Sequence, residues 1–205
     1  MSQPIQPVVL TGRWVRLEPL ALMHVPELAS CCLDEEPPSA QSIWGYMPYG
    51  SIRTEDQLRS LIQGFLAKGD TGTDFGFAVV LQETGRAIGC SRYLDIQPQN
   101  RALEIGSTWY APAYQRTGVN TECKFLLLRH AFEVLGYQRV QFKTDLRNER
   151  SQRALERIGA IKEGLLRKNM IMPDGYARSS VVYSILSDDW PAVKERLQQL
   201  MARSY

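Results

Sequence analysis

Apolar residues recur every second position in some stretches of this chain and every third or fourth in others. The first spacing predicts strands and the second helices. Strands are expected at Arg13–Leu20, Phe75–Leu81, Ala87–Asp95, Ala102–Tyr110, Arg139–Asp145, Ile161–Met172 and Tyr176–Leu186. Helices are expected at Leu22–Leu33, from Glu55 to about Lys68, at Val119–Leu135, from Asn148 to Gly159 and at Asp188–Met201. Local chemistry marks the ends. Thr54 precedes Glu55 and Asp56, an N-cap with acidic first-turn residues. Asn148 is a second N-cap, and Gly136 and Gly159 are helix stops. Glu83-Thr84-Gly85-Arg86 and Pro173-Asp174-Gly175 are hairpin turns. Gly89, inside a strand, predicts a bulge.

The strand 102–110 leads through a helix into the strand 139–145. A helical crossover makes a parallel pair with the helix on one face. Its helix carries Val119, Cys123, Leu126, Leu127, Ala131, Phe132 and Leu135 at helical spacing, which predicts one buried stripe. Gly118 precedes it, with Arg116 two residues earlier. A helix N-terminus carries unpartnered N–H groups and partial positive charge, so a glycine-bearing loop there suits a bulky anion. A plain turn explains the same residues. Neither a P-loop nor a three-glycine dinucleotide fingerprint is present.

Between Asp34 and Ile52 the chain holds Pro37, Pro38, Gly45, Pro48 and Gly50 with Trp44, Tyr46 and Tyr49. A loop that long is functional or disordered, and three aromatics argue against disorder. It forms either a substrate-facing wall or a plug for the core edge.

At 205 residues, 44% hydrophobic and 22% charged, the chain has material for one domain with a real core. Residues 1–10 are expected as a loose arm and 187–203 as a C-terminal helix. A net charge of +2 with no basic stripe argues against a nucleic-acid surface. No run of about 18 apolar residues occurs, so no membrane span is expected. Cys31, Cys32, Cys90 and Cys123, with only His24 and His130 beside them, have no metal spacing; they read as reduced thiols of a cytoplasmic protein.

Gln115-Arg116-Thr117-Gly118-Val119-Asn120 resembles the Gln/Arg-x-x-Gly-x-Gly/Ala loop of the GNAT acetyltransferase superfamily, which holds the pyrophosphate of acetyl-coenzyme A. Asn120 departs from the pattern. The segment Asn148-Glu149-Arg150-Ser151 through Leu155, Ile158, Gly159 and Ala160 resembles the second signature, whose Asn and Ser lie beside pantetheine and the thioester. Gly12-Arg13-Trp14-Val15-Arg16-Leu17-Glu18-Pro19-Leu20 and the element order are most similar to the ribosomal-protein N-terminal (alanine/serine) acetyltransferase branch.

The resemblance, which spans roughly residues 11–190, implies an α+β fold. Its mixed, mostly antiparallel seven-stranded sheet has strands four and five as a parallel pair splayed around the cofactor, with helices on both faces. It implies acetyl-coenzyme A as co-substrate, an amine acceptor and no metal. Cofactor contacts would come from Thr108, Trp109, Tyr110, Gln115, Arg116, Thr117, Gly118, Val119, Asn120, Thr121, Asn148 and Ser151. A backbone N–H around Thr108–Tyr110 would polarise the carbonyl, as is usual in acyl transfer. Ser151 would protonate the leaving thiolate.

The acceptor amine must be neutral to attack, and a lysine side chain ordinarily titrates near 10.4. Glu104 and Asp145 are candidate bases; Glu104 on an exposed strand face and Asp145 as a turn residue are the alternatives. The branch's sixth-strand glutamate is Met170 here. An acyl-coenzyme A sensor without turnover, and an unrelated α/β domain, are the competing readings. A homodimer through the final helix or closing hairpin stays open.

Overall fold

The computed structural model describes residues 5–34 and 42–203, so Pro37 and Pro38 lie outside the described residues. The elements run β1 (Leu10–Thr11), β2 (Val15–Pro19), α1 (Val25–Cys32), α2 (Glu55–Asp70), β3 (Phe75–Leu81), β4 (Ala87–Gln97), β5 (Ala102–Tyr110), α3 (Val119–Arg129), β6 (Arg139–Asp145), α4 (Glu149–Ile158), β7 (Ile161–Ile171), β8 (Ala177–Leu186) and α5 (Trp190–Ala202). They build one sheet of order β1-β2-β3-β4-β5-β6-β8-β7. Every neighbouring pair is antiparallel except β5 with β6.

Seven strands are expected from the alternation, and eight are found. The additional one, β1, pairs Leu10 with Leu17 and Thr11 with Arg16. Two residues are too few to show a period. Its presence makes the parallel pair the fifth and sixth strands, not the fourth and fifth.

Helices cover both faces. α3, α4 and α5 pack on one face around Leu126, Phe142, Tyr183 and Leu197. α1 and α2 pack on the other, around Leu28, Leu58, Ala78 and Trp109. The caps act as their chemistry dictates. Thr54 accepts from the Gln57 amide while Gln57 returns a bond to the Thr54 amide. Asn148 accepts from the Ser151 amide. Asp189 precedes α5, but its carboxylate accepts from the Leu186 amide rather than from the helix. The β3–β4 register slips beside Gly89, where a Cβ would collide with the Trp109 carbonyl oxygen.

α3 departs from the single stripe. It is buried at Val119 and continuously from Thr121 to Leu128. Between the sheet and α5 it has almost no solvent face, and Gly136 ends the following π turn with φ +68°.

Two of its buried residues are charged. The Glu122 carboxylate accepts backbone N–H groups from Arg13 at 2.6 Å, Trp14 at 2.8 Å and Val15 at 2.9 Å. It clasps the β1–β2 turn to the start of α3. Gly12 is needed there, because a Cβ would meet the carboxylate at 2.5 Å.

Glu122→Gln removes the charge from these bonds and turns an N–H₂ toward one of three donors. Unsatisfied buried donors and lost charge-assisted bonds make the expected loss about 3 kcal/mol. In urea unfolding the midpoint should fall accordingly, and the melting temperature by roughly 6–12 °C. A variant as stable as the parent would show that the clasp contributes nothing to the fold.

Candidate functional site

The parallel pair is short. β5 and β6 register only from Ala102–Arg139 to Glu104–Gln141. Beyond Glu104 the strands part, and β5 stays bonded to β4 alone through Arg92–Gly106, Cys90–Trp109 and Gly89–Tyr110. Ser107 sits at the irregularity with φ +51°, a left-handed conformation, and its hydroxyl is 2.7 Å from that of Tyr49. The gap opens into a cleft of about 850 Å³. The N-terminal ends of α3 and α4, which follow the two parted strands, both face it.

The described part of the loop before α2 plugs the core with one aromatic and walls the cleft with others. Trp44 is buried; its indole N–H donates to the Cys32 carbonyl and its ring packs 5.0 Å from Trp109. Tyr46, Met47, Pro48 and Tyr49 line the cleft.

Of the residues expected around the cofactor, Thr108, Trp109, Tyr110, Gln115, Arg116, Thr117, Asn120, Asn148 and Ser151 line the cleft. Gly118, Val119 and Thr121 direct their side positions elsewhere. Gly118 has an ordinary helical φ of −64°. A Cβ there would meet the Trp14 ring at 2.8 Å, so the glycine is required by the indole behind the loop. The left-handed backbone falls on Arg116, at φ +62°. Val119 belongs to the core, and the buried Thr121 hydroxyl accepts from Arg157 at 2.9 Å.

The two signature segments are bonded to each other. Arg150, in the first turn of α4, donates to Gln115 Oε1 at 2.7 Å, and Arg157 reaches α3 through Thr121. Gln115 Nε2 points back to the Tyr110 carbonyl. The Tyr110 hydroxyl donates to Asn120 Oδ1 at 3.2 Å, which fixes the side chain that departs from the glycine pattern. Arg116, Arg150 and Arg153 stand at this mouth of the cleft.

The cleft is also lined by the carboxylates of Glu104 and Asp145. Glu104 is 8% exposed and lines the cleft, so it is not a solvent-facing strand residue. Lys143 Nζ lies 2.9 Å from it, and Gln141 donates to it at 3.4 Å. Asp145 is buried and held by Arg147, whose amide donates at 2.8 Å and whose guanidinium at 3.1 Å. Met170 lines the cleft and brings no charge.

Sequence reasoning missed Lys124. It is 6% exposed, lines the cleft and donates to Thr108 Oγ1 at 2.8 Å; Thr108 in turn meets Ser91 Oγ at 2.7 Å. Burial lowers its pKa from 10.5 to about 8. The usable signal is its place two residues from Glu122 on a helix with apolar residues on nearly every side.

Cys31, Cys32, Cys90 and Cys123 are free thiols, and burial raises Cys90 and Cys123 to about 12. Among the described residues no cluster of three or more His, Cys, Asp or Glu side chains forms, and no helix is long and apolar enough to cross a membrane.

Residues 15–161 match the family model described as an acetyltransferase (GNAT) domain. A Bacillus subtilis (strain 168) protein provisionally named ribosomal N-acetyltransferase YdaF is 31% identical over 119 residues, which are 58% of this chain and 64% of that protein. It agrees with the branch that the opening strand resembles. A provisionally named acetyltransferase from T. thermophilus has 41% identity and a TM-score of 0.84, over 96% of this chain and 98% of that one. Mycobacterium smegmatis RimJ, solved with CoA-disulfide, shares the fold with 22% identity and a TM-score of 0.75, over 94% and 91% of the chains.

Lys124 has a measurable signature. Its folded pKa of about 8 lies below the ordinary 10.5, so the unfolded chain binds more protons between those values. Stability attributable to this group therefore rises with pH across that window. Lys124→Met should be more stable than the parent by about 3 kcal/mol at pH 7, with the advantage shrinking to nothing by about pH 10.5. A difference independent of pH would contradict the burial of a charged amine.

Proposed function

The chain belongs to the GNAT acetyltransferase family, and on that premise we propose that it transfers an acetyl group from acetyl-coenzyme A directly to a primary amine. The observation that carries this is the parted β5–β6 pair, with two helix N-termini at the open end.

The residues suit a diphosphate-bearing thioester. α3 presents first-turn amides beside Asn120, and Arg116 and Arg150 bring full positive charge to the same mouth. The edge of β5 from Ile105 to Tyr110 has lost β6 and offers backbone groups to an extended amide chain. Bound there, acetyl-coenzyme A supplies an activated acyl group.

The protein's part is orientation and charge. Backbone N–H groups of β5 near Thr108–Tyr110 polarise the carbonyl from a fixed direction. Lys124 holds a positive charge under Thr108. Ser151, on the first turn of α4, offers its hydroxyl to the departing thiolate. Glu104 takes the proton from the acceptor amine, directly or through water. The buried, weakly acidic Cys90 and Cys123 thiols do not suit a covalent intermediate.

Coenzyme A at a hundredfold excess over its Kd should raise the unfolding free energy by about 2.7 kcal/mol. Asn120→Asp sets a carboxylate at the α3 N-terminus and should weaken that binding about tenfold or more. Gly118→Asp is a poorer probe, since its Cβ strikes Trp14 whatever is bound. Glu104→Gln should lower amine-dependent thiol release by about 10²–10³ while coenzyme A affinity holds. Tight coenzyme A binding with no thiol release from any amine would sink the enzymatic reading.

A further inference from the structure

The cleft holds a buried charge with no carboxylate in contact with it among the described residues. Arg178, on β8, is 7% exposed and lines the cleft. Its Nε donates to Ser180 Oγ at 3.0 Å, and Nη1 reaches the Tyr46 carbonyl at 3.4 Å. Among the described residues no carboxylate lies within ion-pair distance of it.

The nearby acids are committed. Glu104 is paired with Lys143, and Asp145 with Arg147. Arg92, also buried and lining the cleft, has the contact counter-ion that Arg178 lacks: it is ion-paired with Asp74 and its guanidinium lies 3.8 Å from the Phe65 ring centre, although its Nε has no partner among the described residues. Burial lowers the pKa of Arg178. A guanidinium stays charged at any working pH, so its desolvation has to be offset by an anion. Asp145 and Glu104 act on it only from beyond ion-pair distance, each bonded to another cation, and Arg178 lines the cleft alongside them.

We propose that Arg178 is the seat for a carboxylate of the acceptor, and that the substrate is a small amine that also carries an acid group. This rests on the acetyl-transfer reading. The amine would face Glu104 while the acid pairs with Arg178 in a two-pronged bond, with Tyr46 as the adjoining wall.

The test uses the full chain with saturating coenzyme A and a ladder of ω-amino acids from glycine to 6-aminohexanoate, each against its methyl ester. Calorimetry gives affinity, and thiol release with acetyl-coenzyme A gives kcat/KM. At least one free acid should exceed its ester by roughly a hundredfold in kcat/KM. Arg178→Met should abolish that preference while leaving coenzyme A affinity unchanged. The same variant, relieved of a buried cation, should melt no lower than the parent. Arg178→Lys, which keeps the charge but not the fork, should retain part of the preference.

Acids and esters served equally, with coenzyme A still bound, would overturn this inference alone. An Arg178→Met protein that keeps the preference would do the same. Absence of coenzyme A binding would instead overturn the acetyl-transfer reading beneath it.

Discussion

A parallel strand pair that stops pairing after three residues is the constraint on which the rest of this structure depends. Parallel strands ordinarily bury both edges in evenly spaced bonds. Here β5 gives up one edge after Glu104, and the left-handed Ser107 keeps it bent toward β4. Loops following parallel strands emerge on one side, so the helices after β5 and β6 both begin at the open end. The cleft, its exposed backbone and its two helix dipoles thus share one cause.

Buried charge is the second theme. Glu122 has three backbone donors, Arg92 has Asp74 and an aromatic face, and Lys124 has a hydroxyl and a lowered pKa. Each solves the desolvation problem in a different way. Glu122 solves it for the fold, since it joins the N-terminal hairpin to the start of α3. Lys124, Arg178 and the Nε of Arg92 leave it partly unsolved, and all three residues line the cleft. Incomplete compensation of buried charge thus gathers at the cleft.

Alternation and helical spacing were enough to place β2 through β8 and all five helices, because most bury a face whose period is local; β7, exposed along nearly all its length, is placed by the Pro173-Asp174-Gly175 turn that joins it to β8. Turn glycines and the Thr54 and Asn148 caps were legible for the same reason: their partners lie within four residues. The parallel pairing followed from the crossover. What could not be read depends on distant partners. β1 exists only because β2 pairs with it. Glu122 and Lys124 look like solvent-facing charges until residues 13–15 and Thr108 are brought to them. Glu104 alternates like an exposed residue, yet it is buried in the lining of the cleft. Arg178 carries no local sign at all. The glycine at 118 is required by an indole from the other end of the chain, which no local pattern shows.

That indole ties two remote positions together. Trp14 fills the space a side chain at 118 would need, while its own amide is held by Glu122. Neither can enlarge unless the other shrinks. Over evolutionary time, residues 14 and 118 should therefore drift only as a pair, and a grafted loop from a sister enzyme would seat properly only if the opening strand travelled with it.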